Sequence, residues 1–409
     1  VLNRLWLGLF VLGTASGIWQ WLMHDQALIF TEMTNSLFEM ARLTVEIAIG
    51  LLGVLALWLG LMRIGEQCGL MEWLAARLSP LFARLMPEVP AGHPALASVT
   101  MNLAANALGL DNAATPMGLK AMRDLQSLNP TPHVATNAQI LFLVLNTSSV
   151  TLLPVTVFMY RAQQGAANPT DVFIPILLAT LASTLAGLIA VASIQRIRLL
   201  DRVVVLWGGV ALAALLASIS YLMTLSAQAL EQVSSQISGL VLAGVVMAFL
   251  GLASRRKVNA YDAFVGGAKE GVSVVLTLLP YLLAMLVAIG WFRASGALDT
   301  VLSACAALFH GLGMDTRFVD ALPTAIMKPL SGSGARAMMV ETMAVHGADS
   351  FAGRLAAMFQ GSTETTFYVL AVYFGSVGIR NGRHAVFCGL TADFAGISAA
   401  IAVAYLFYG

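Results

Sequence analysis

Glu364 is the side chain of this sequence best placed to do chemistry. It stands in the polar patch Gln360-Gly361-Ser362-Thr363-Glu364-Thr365-Thr366, inside an apolar run over 353–374. A carboxylate at membrane depth is costly unless it is paired, protonated or ion-bound. It therefore suits uptake of a proton or cation, or acceptance of hydrogen bonds from a solute; the structural alternative is an ion pair with Lys328 or Arg336. Those two cations flank Ser331-Gly332-Ser333-Gly334. With free backbone N–H groups they suit an anionic group, and equally they suit snorkelling to water. Asn102, Asn106, Asp111, Asn112 and Thr115 form a second polar cluster, although Asp111-Asn112 ahead of Thr115-Pro116 also reads as turn or cap chemistry. Asn146, Thr147, Ser148 and Ser149 follow it as cavity-lining candidates, against the habit of Ser and Thr to bond back to their own helix. Asp393, in the last apolar run, is a second proton or cation candidate or a packing acceptor, and Glu46 a weaker one.

Other chemistries find little footing. His93, His133 and His310 have no ligand partners at useful spacing, His346 and His384 fall near loop ends, and Cys68, Cys305 and Cys388 are far apart, so no metal site and no cofactor are expected. The chain has no H-E-x-x-H and no G-x-S-x-G. A Ser–Lys dyad from Ser331 or Ser333 with Lys328 has nothing further behind it, and no enzyme is expected.

These residues need a frame that hides them from lipid. The 409 residues are 58% hydrophobic and 11% charged, a balance that implies an all-α polytopic membrane protein. The net charge of +1 offers nothing to nucleic acid. Apolar runs long enough to cross lie near 2–23, 43–64, 138–160, 172–195, 202–225, 236–254, 272–292, 353–374 and 385–408, about nine spans. The first is too long for a typical signal-peptide core and reads as a true span. Two further segments, 94–127 and 318–346, are interrupted by Pro94 and Pro116, or by Pro323, Pro329 and Gly332-Ser333-Gly334, and read as broken or re-entrant helices.

Basic loops gather on the cytoplasmic side. Arg196, Arg198 and Arg202, Arg255 to Lys257, and Arg380 with Arg383 fall inside, whereas the loop with Glu231 and the loop with Arg161 and Asp171 fall outside. The N-terminus is then cytoplasmic and the C-terminus external. The two polar stretches also repeat. Placing Lys120-Ala121-Met122 on Arg336-Ala337-Met338 puts Asn112 on Lys328, Thr115 on Ser331 and Gly118 on Gly334, and a nearly identical offset puts Ser149 on Glu364. Corresponding loops carry opposite positive bias, as two inverted copies would. The expected organisation is a span over 1–24, a first repeat over 25–200, a connecting helix pair over 201–257 and a second repeat over 258–409.

NLAANALGLDNAATPMGLKAMRDLQ with TNAQILFLVLNTSSVTLLP resembles spore maturation protein A, and ALPTAIMKPLSGSGARAMMVE with FQGSTETTFYVLAVYFGSVGIR resembles spore maturation protein B. The chain resembles a fusion of the two over nearly its whole length. The resemblance implies the nucleoside-recognition, or Gate, domain group, which also occurs in the membrane part of ferrous iron transporter B and in concentrative nucleoside transporters. It implies a transport-type fold and leaves the substrate open. The iron transporter's gate segments carry cysteine; here all three cysteines lie outside the polar motifs, which disfavours soft or borderline metals.

The expectation is an inner-membrane secondary transporter of a small polar or anionic metabolite, nucleoside-like among the options. It is coupled to protons or sodium through Glu364, with Asp111 and Asp393 in support. The solute candidates are Asn102, Asn106, Asn112, Thr115, Asn146, Thr147, Ser148, Ser149, Lys328, Ser331, Gly332, Ser333, Gly334, Gln360, Ser362, Thr363 and Thr365. The partners are a small solute and the lipid bilayer, with a homodimer as a base-rate expectation only. The alternatives are a non-transporting scaffold or signalling protein with a ligand-binding polar core and, more weakly, a ferrous iron permease.

Overall fold

The computed structural model describes the backbone of residues 2–24, 26–90, 92–107, 111–148, 150–197, 199, 201–222 and 227–409. It is built from helices. α1 (Leu2–Met23) precedes a first series: α2 (Ile29–Gln67), α3 (Leu70–Leu85), α4 (Pro94–Ala107), α5 (Asp111–Gln126), α6 (Asn137–Thr147), α7 (Val155–Gln163) and α8 (Phe173–Gln195). Two connecting helices follow, α9 (Arg202–Leu222) and α10 (Ala227–Arg256). The second series is α11 (Ala260–Ala294), α12 (Ala297–Gly311), α13 (Leu322–Leu330), α14 (Gly332–His346), α15 (Phe351–Ser362), α16 (Thr366–Ser376) and α17 (Ala385–Tyr408).

The two series match element by element. Each opens with one very long helix, 39 residues in α2 and 35 in α11, and closes with one of 23 or 24. Their local signals match too. Gly69 and Gly296 precede α3 and α12 at φ +74° and +72°, a conformation that glycine adopts without a Cβ penalty. Thr136 and Ser350 cap α6 and α15 by accepting from the backbone N–H three residues on.

The long helices at corresponding positions, α2 with α11 and α8 with α17, pack against each other and run antiparallel. In α2 and α11, a Cβ on Gly60 would meet Phe264, one on Gly271 would meet Ala56, and one on Gly290 would meet Met40, so positions rise in one helix as they fall in the other. The glycines let the backbones close up; a Cβ on Gly271 would lie 2.8 Å from backbone atoms of Leu55 and Ala56. In α8 and α17, Gln195 bonds His384 at one end, Ser183 donates to the Ala392 carbonyl midway, and Tyr408 donates to the Asp171 carbonyl at the other.

Among the described residues, α2, α8, the Gly239–Arg256 part of α10 and α17 are long and apolar enough to cross a membrane, and Leu282–Ala294 with Ala297–Gly311 forms a pair bent by 71°. Two expected spans are corrected. The runs over 138–160 and 353–374 are not continuous: the first divides into α6 and α7, the second into α15 and α16. Their polar patches straddle the gaps: Asn146 and Thr147 end α6, Gln360 to Ser362 end α15, and Thr363 to Thr365 lie between α15 and α16. The prolines play unequal parts in the other two segments. Pro94 starts α4, Pro116 lies within α5 and Pro323 sits in the first turn of α13; the second segment does break as expected, at Ser331 between Pro329 and Gly332, where the backbone is extended.

Candidate functional site

Two pairs of helices and two gaps converge. α4 and α5 form one hairpin, held near its base by Lys120 and Asp124 on Ser98 and nearer its tip by Asn102 Nδ2 donating to the Ala114 carbonyl at 2.7 Å. The tip reaches the α6–α7 gap, where Leu152 N donates to the Ala107 carbonyl at 2.9 Å. α13 and α14 form the second hairpin. Ser331 caps it by accepting from Gly334 N, and a Cβ on Gly332 would lie 2.8 Å from Thr365 Oγ1 in the α15–α16 gap. The two gaps then meet: Glu364 N donates to the Thr147 carbonyl at 2.7 Å. Broken helices from the two series cross at their breaks, so chain ends that hydrocarbon would leave unsatisfied satisfy one another.

Two polar groups flank the crossing. In one, Asn146 Oδ1 accepts from Asn106 Nδ2 at 2.7 Å and from the Tyr373 hydroxyl at 3.5 Å, and Asn102 Nδ2 lies 3.4 Å from that hydroxyl. In the other, Thr366 donates to Asp393 Oδ2 at 2.7 Å, with Thr363, Lys328 and Glu364 close to Asp393. Asn102, Asn146, Lys328, Ser331, Thr363, Thr365, Thr366 and Asp393 are all buried. Glu364 is half-buried and joins none of the ion pairs among the described residues. Small residues of α8 and α17 make room: a Cβ on Gly389 would strike Thr366, one on Gly396 would strike Thr363 and Ser183, and one on Gly187 would press on Ala392 and Val144.

The sequence candidates fare unevenly. Asn102, Asn106, Asn146, Lys328, Thr363, Thr365, Glu364 and Asp393 come together, with Gly332 and Ser333 at the neighbouring tip and Gln360 one turn before the gap. Thr147, Ser148 and Ser362 are buried at the crossing, but their hydroxyls donate to Val144, Val144 and Phe359 carbonyls of their own helices. Thr147 and Ser148 contribute carbonyls instead, Ser148 to the Thr184 hydroxyl. Arg336 donates to the Gly332 carbonyl of its own helix. Gly334 packs against Met327 and Met285, and Thr115 lies half-buried in α5. Ser149 and the side chains of Asp111 and Asn112 lie outside the described residues.

Tyr373 and Thr366 escaped the sequence reading as site residues. Thr366 closed the quoted patch, and Tyr373 stands two turns beyond it on α16, a spacing that puts both on one face. The buried charges Arg161, Asp171 and Glu341 escaped it as well.

A family model described as Gate, nucleoside recognition, matches residues 48–163 and 275–380, more than half the chain. The chain belongs to the Gate family. The two matched segments run from within α2 to the end of α7 and from within α11 through α16, so they contain both hairpins and both gaps of the crossing. The chain is similar to spore maturation protein B of Bacillus subtilis (strain 168), 43% identical over 42% of this chain and 90% of that protein. It is likewise similar to spore maturation protein A of the same organism, 37% identical over 46% of this chain and 93% of that protein. It is a fused member of that pair, and a multi-pass helical membrane protein. No solved structure matches it.

Proposed function

We propose that this Gate-family chain is a secondary transporter that binds a small polar solute at the helix crossing and exposes it to the two membrane faces in turn. The observation that carries the reading is the bond from Glu364 N to the Thr147 carbonyl, where two broken helices cross amid buried polar side chains. Interrupted helices at membrane depth are tolerated where they line a cavity or a binding site. The antiparallel pairing of equivalent helices supports inverted repeats. A two-fold axis that relates antiparallel neighbours lies across the helices, hence in the membrane plane if they span it. Loop charges support about nine crossings, N-terminus in and C-terminus out, in a bacterial inner membrane.

In this reading Asp393, held by Thr366, and Glu364, unpaired among the described residues, take and release the coupling proton or sodium ion, with Asp111 in support. No enzymatic step is assigned to the chain. The printed names of the two relatives support a second reading, a membrane protein of cell maturation whose polar core binds a ligand without moving it. One experiment separates them. The purified protein and Glu364→Gln are screened by thermal stability against nucleosides, amino acids, organic anions, sodium and ferrous iron, and hits are tested for uptake into proteoliposomes. A ligand bound to the folded state alone raises its stability. Uptake that Glu364→Gln abolishes, with unchanged ligand-free stability, is the expected result. A ligand that binds and is never taken up favours the second reading. No ligand at all, with variant and parent alike, contradicts both.

A further inference from the structure

The hydrogen-bond arithmetic of the crossing has one sign. Buried atoms there that lack a partner among the described residues are Asn102 Oδ1, Gln360 Oε1, Thr363 Oγ1 and Asp393 Oδ1. Three can only accept, taking the carboxylate as ionised; the fourth, the Thr363 hydroxyl, lies beside Asp393 and can give its proton to that carboxylate while its own lone pairs accept from a solute. No buried side-chain nitrogen is in the same position among the described residues. The donors are spent: Asn102 Nδ2 on the Ala114 carbonyl, Asn106 Nδ2 and the Tyr373 hydroxyl on Asn146, Asn146 Nδ2 on the Phe142 carbonyl, and the Thr366 hydroxyl on Asp393. Lys328 is engaged as well and lies close to Asp393.

Buried acceptors without partners cost free energy, and a partner that supplies donors recovers it. Helix starts would argue the other way, because they favour anions. Here those positions already have occupants. Asp393 accepts from Thr366 at the first residue of α16, Glu364 sits two residues before it, and Ser331 accepts from Gly334 N in the first turn of α14. A ligand anion would meet two carboxylates.

Resting on the reading of the crossing as a binding site, we infer that its solute is held through N–H or O–H donors, as an uncharged hydroxyl- or amino-bearing molecule or its ammonium form, and not through an anionic group. Thr363 and Asp393 lie side by side on one flank, and Asn102 serves the opposite flank through its carbonyl oxygen.

Matched probes test this on the full chain in detergent, with thermal stability as readout: uridine against uridine 5′-monophosphate, ribose against ribose 5-phosphate, and ethanolamine against glycolate. Stabilisation by a donor member with none from its anionic match is the expected result. Thr363→Val then raises the concentration for half-maximal shift about tenfold. The Thr363 hydroxyl lies within reach of Asp393 in the ligand-free protein, so the shift of each variant is measured against its own ligand-free melting temperature. Asp393→Asn, which turns an acceptor into a donor, weakens the same ligand at least as much. Stabilisation by the anionic members alone overturns the inference and leaves the binding site standing. So does a donor ligand indifferent to both substitutions. No shift with any probe overturns the inference and the site reading together.

Discussion

The two ends of the crossed helices are closed by different chemistry. At one end the C-terminus of α7 meets the start of α15 through charge. Arg161, with its side chain fully buried, lies 2.8 Å from Asp171 and 3.1 Å from Asp349, and Arg354 lies 2.8 Å from Asp171. Arg161 also donates to the Ala348 carbonyl at 2.7 Å, and Arg354 stacks over Tyr408 at 4.8 Å. At the other end the C-terminus of α16 meets the start of α6 through backbone. Val134 pairs with Asn381 as an isolated bridge, Ala135 N donates to the Asn381 carbonyl, and Arg380 N and Asn381 N both donate to the His133 carbonyl. The arrangement is the same and the bonding is not. A charge cluster built around a buried Arg161 is strong only while every member is present, whereas backbone bonds of a surface bridge can be exchanged for water one at a time. The comparison teaches that matched halves need not give matched closures: the charged end breaks all at once and the bridged end opens by degrees.

Arg161→Ala breaks the comparison most severely. It leaves Asp349 without its buried partner and Asp171 with Arg354 alone, and is expected to cost about 3–5 kcal/mol in a denaturant titration. A loss below about 1 kcal/mol would mean that water already reaches Arg161 and Asp171. At the opposite end Arg383 donates to Ala135 O and Asn137 Oδ1 from an exposed position. Arg383→Ala should cost no more than about 1 kcal/mol by the same titration. Equal losses at the two ends would erase the distinction. The smallest effect is one of pH. Burial, with Arg383 beside it, pushes the His384 imidazole below its ordinary value. The folded state then binds its proton less readily than the unfolded chain, so this stabilisation is present above pH about 6.5 and is lost as pH falls through the lowered value. His384→Gln should flatten that part of a melting-temperature profile. A slope that survives the substitution would assign it to another group.

How much of this the sequence held differs by level. The helical membrane class was legible, because apolar runs are a property of the chain itself. The separations of α6 from α7 and of α15 from α16 were not, although their polar letters were plain. An apolar run reads as one helix until the partner that satisfies its broken ends is known, and for Thr147 that partner is Glu364, in the other series. Asp393 and Glu364 were found because a carboxylate in a span stands out. Tyr373 was missed because an aromatic at helical spacing is ordinary core, and only contact with Asn146 and Asn102 makes it otherwise. Arg161 and Asp171 read as loop charges, since nothing local says that Asp349 and Arg354 arrive from the other series to bury them.

The central claim is that the crossing is reached from both faces in turn. The direct measurement places a single cysteine at Thr363, with Cys68, Cys305 and Cys388 replaced, and applies a membrane-impermeant thiol reagent to each face of sealed vesicles. The account predicts labelling from both faces, slowed by bound solute, with Arg161→Ala raising the rate from the side of the charged end. Labelling from one face only, in parent and variant alike, would contradict it.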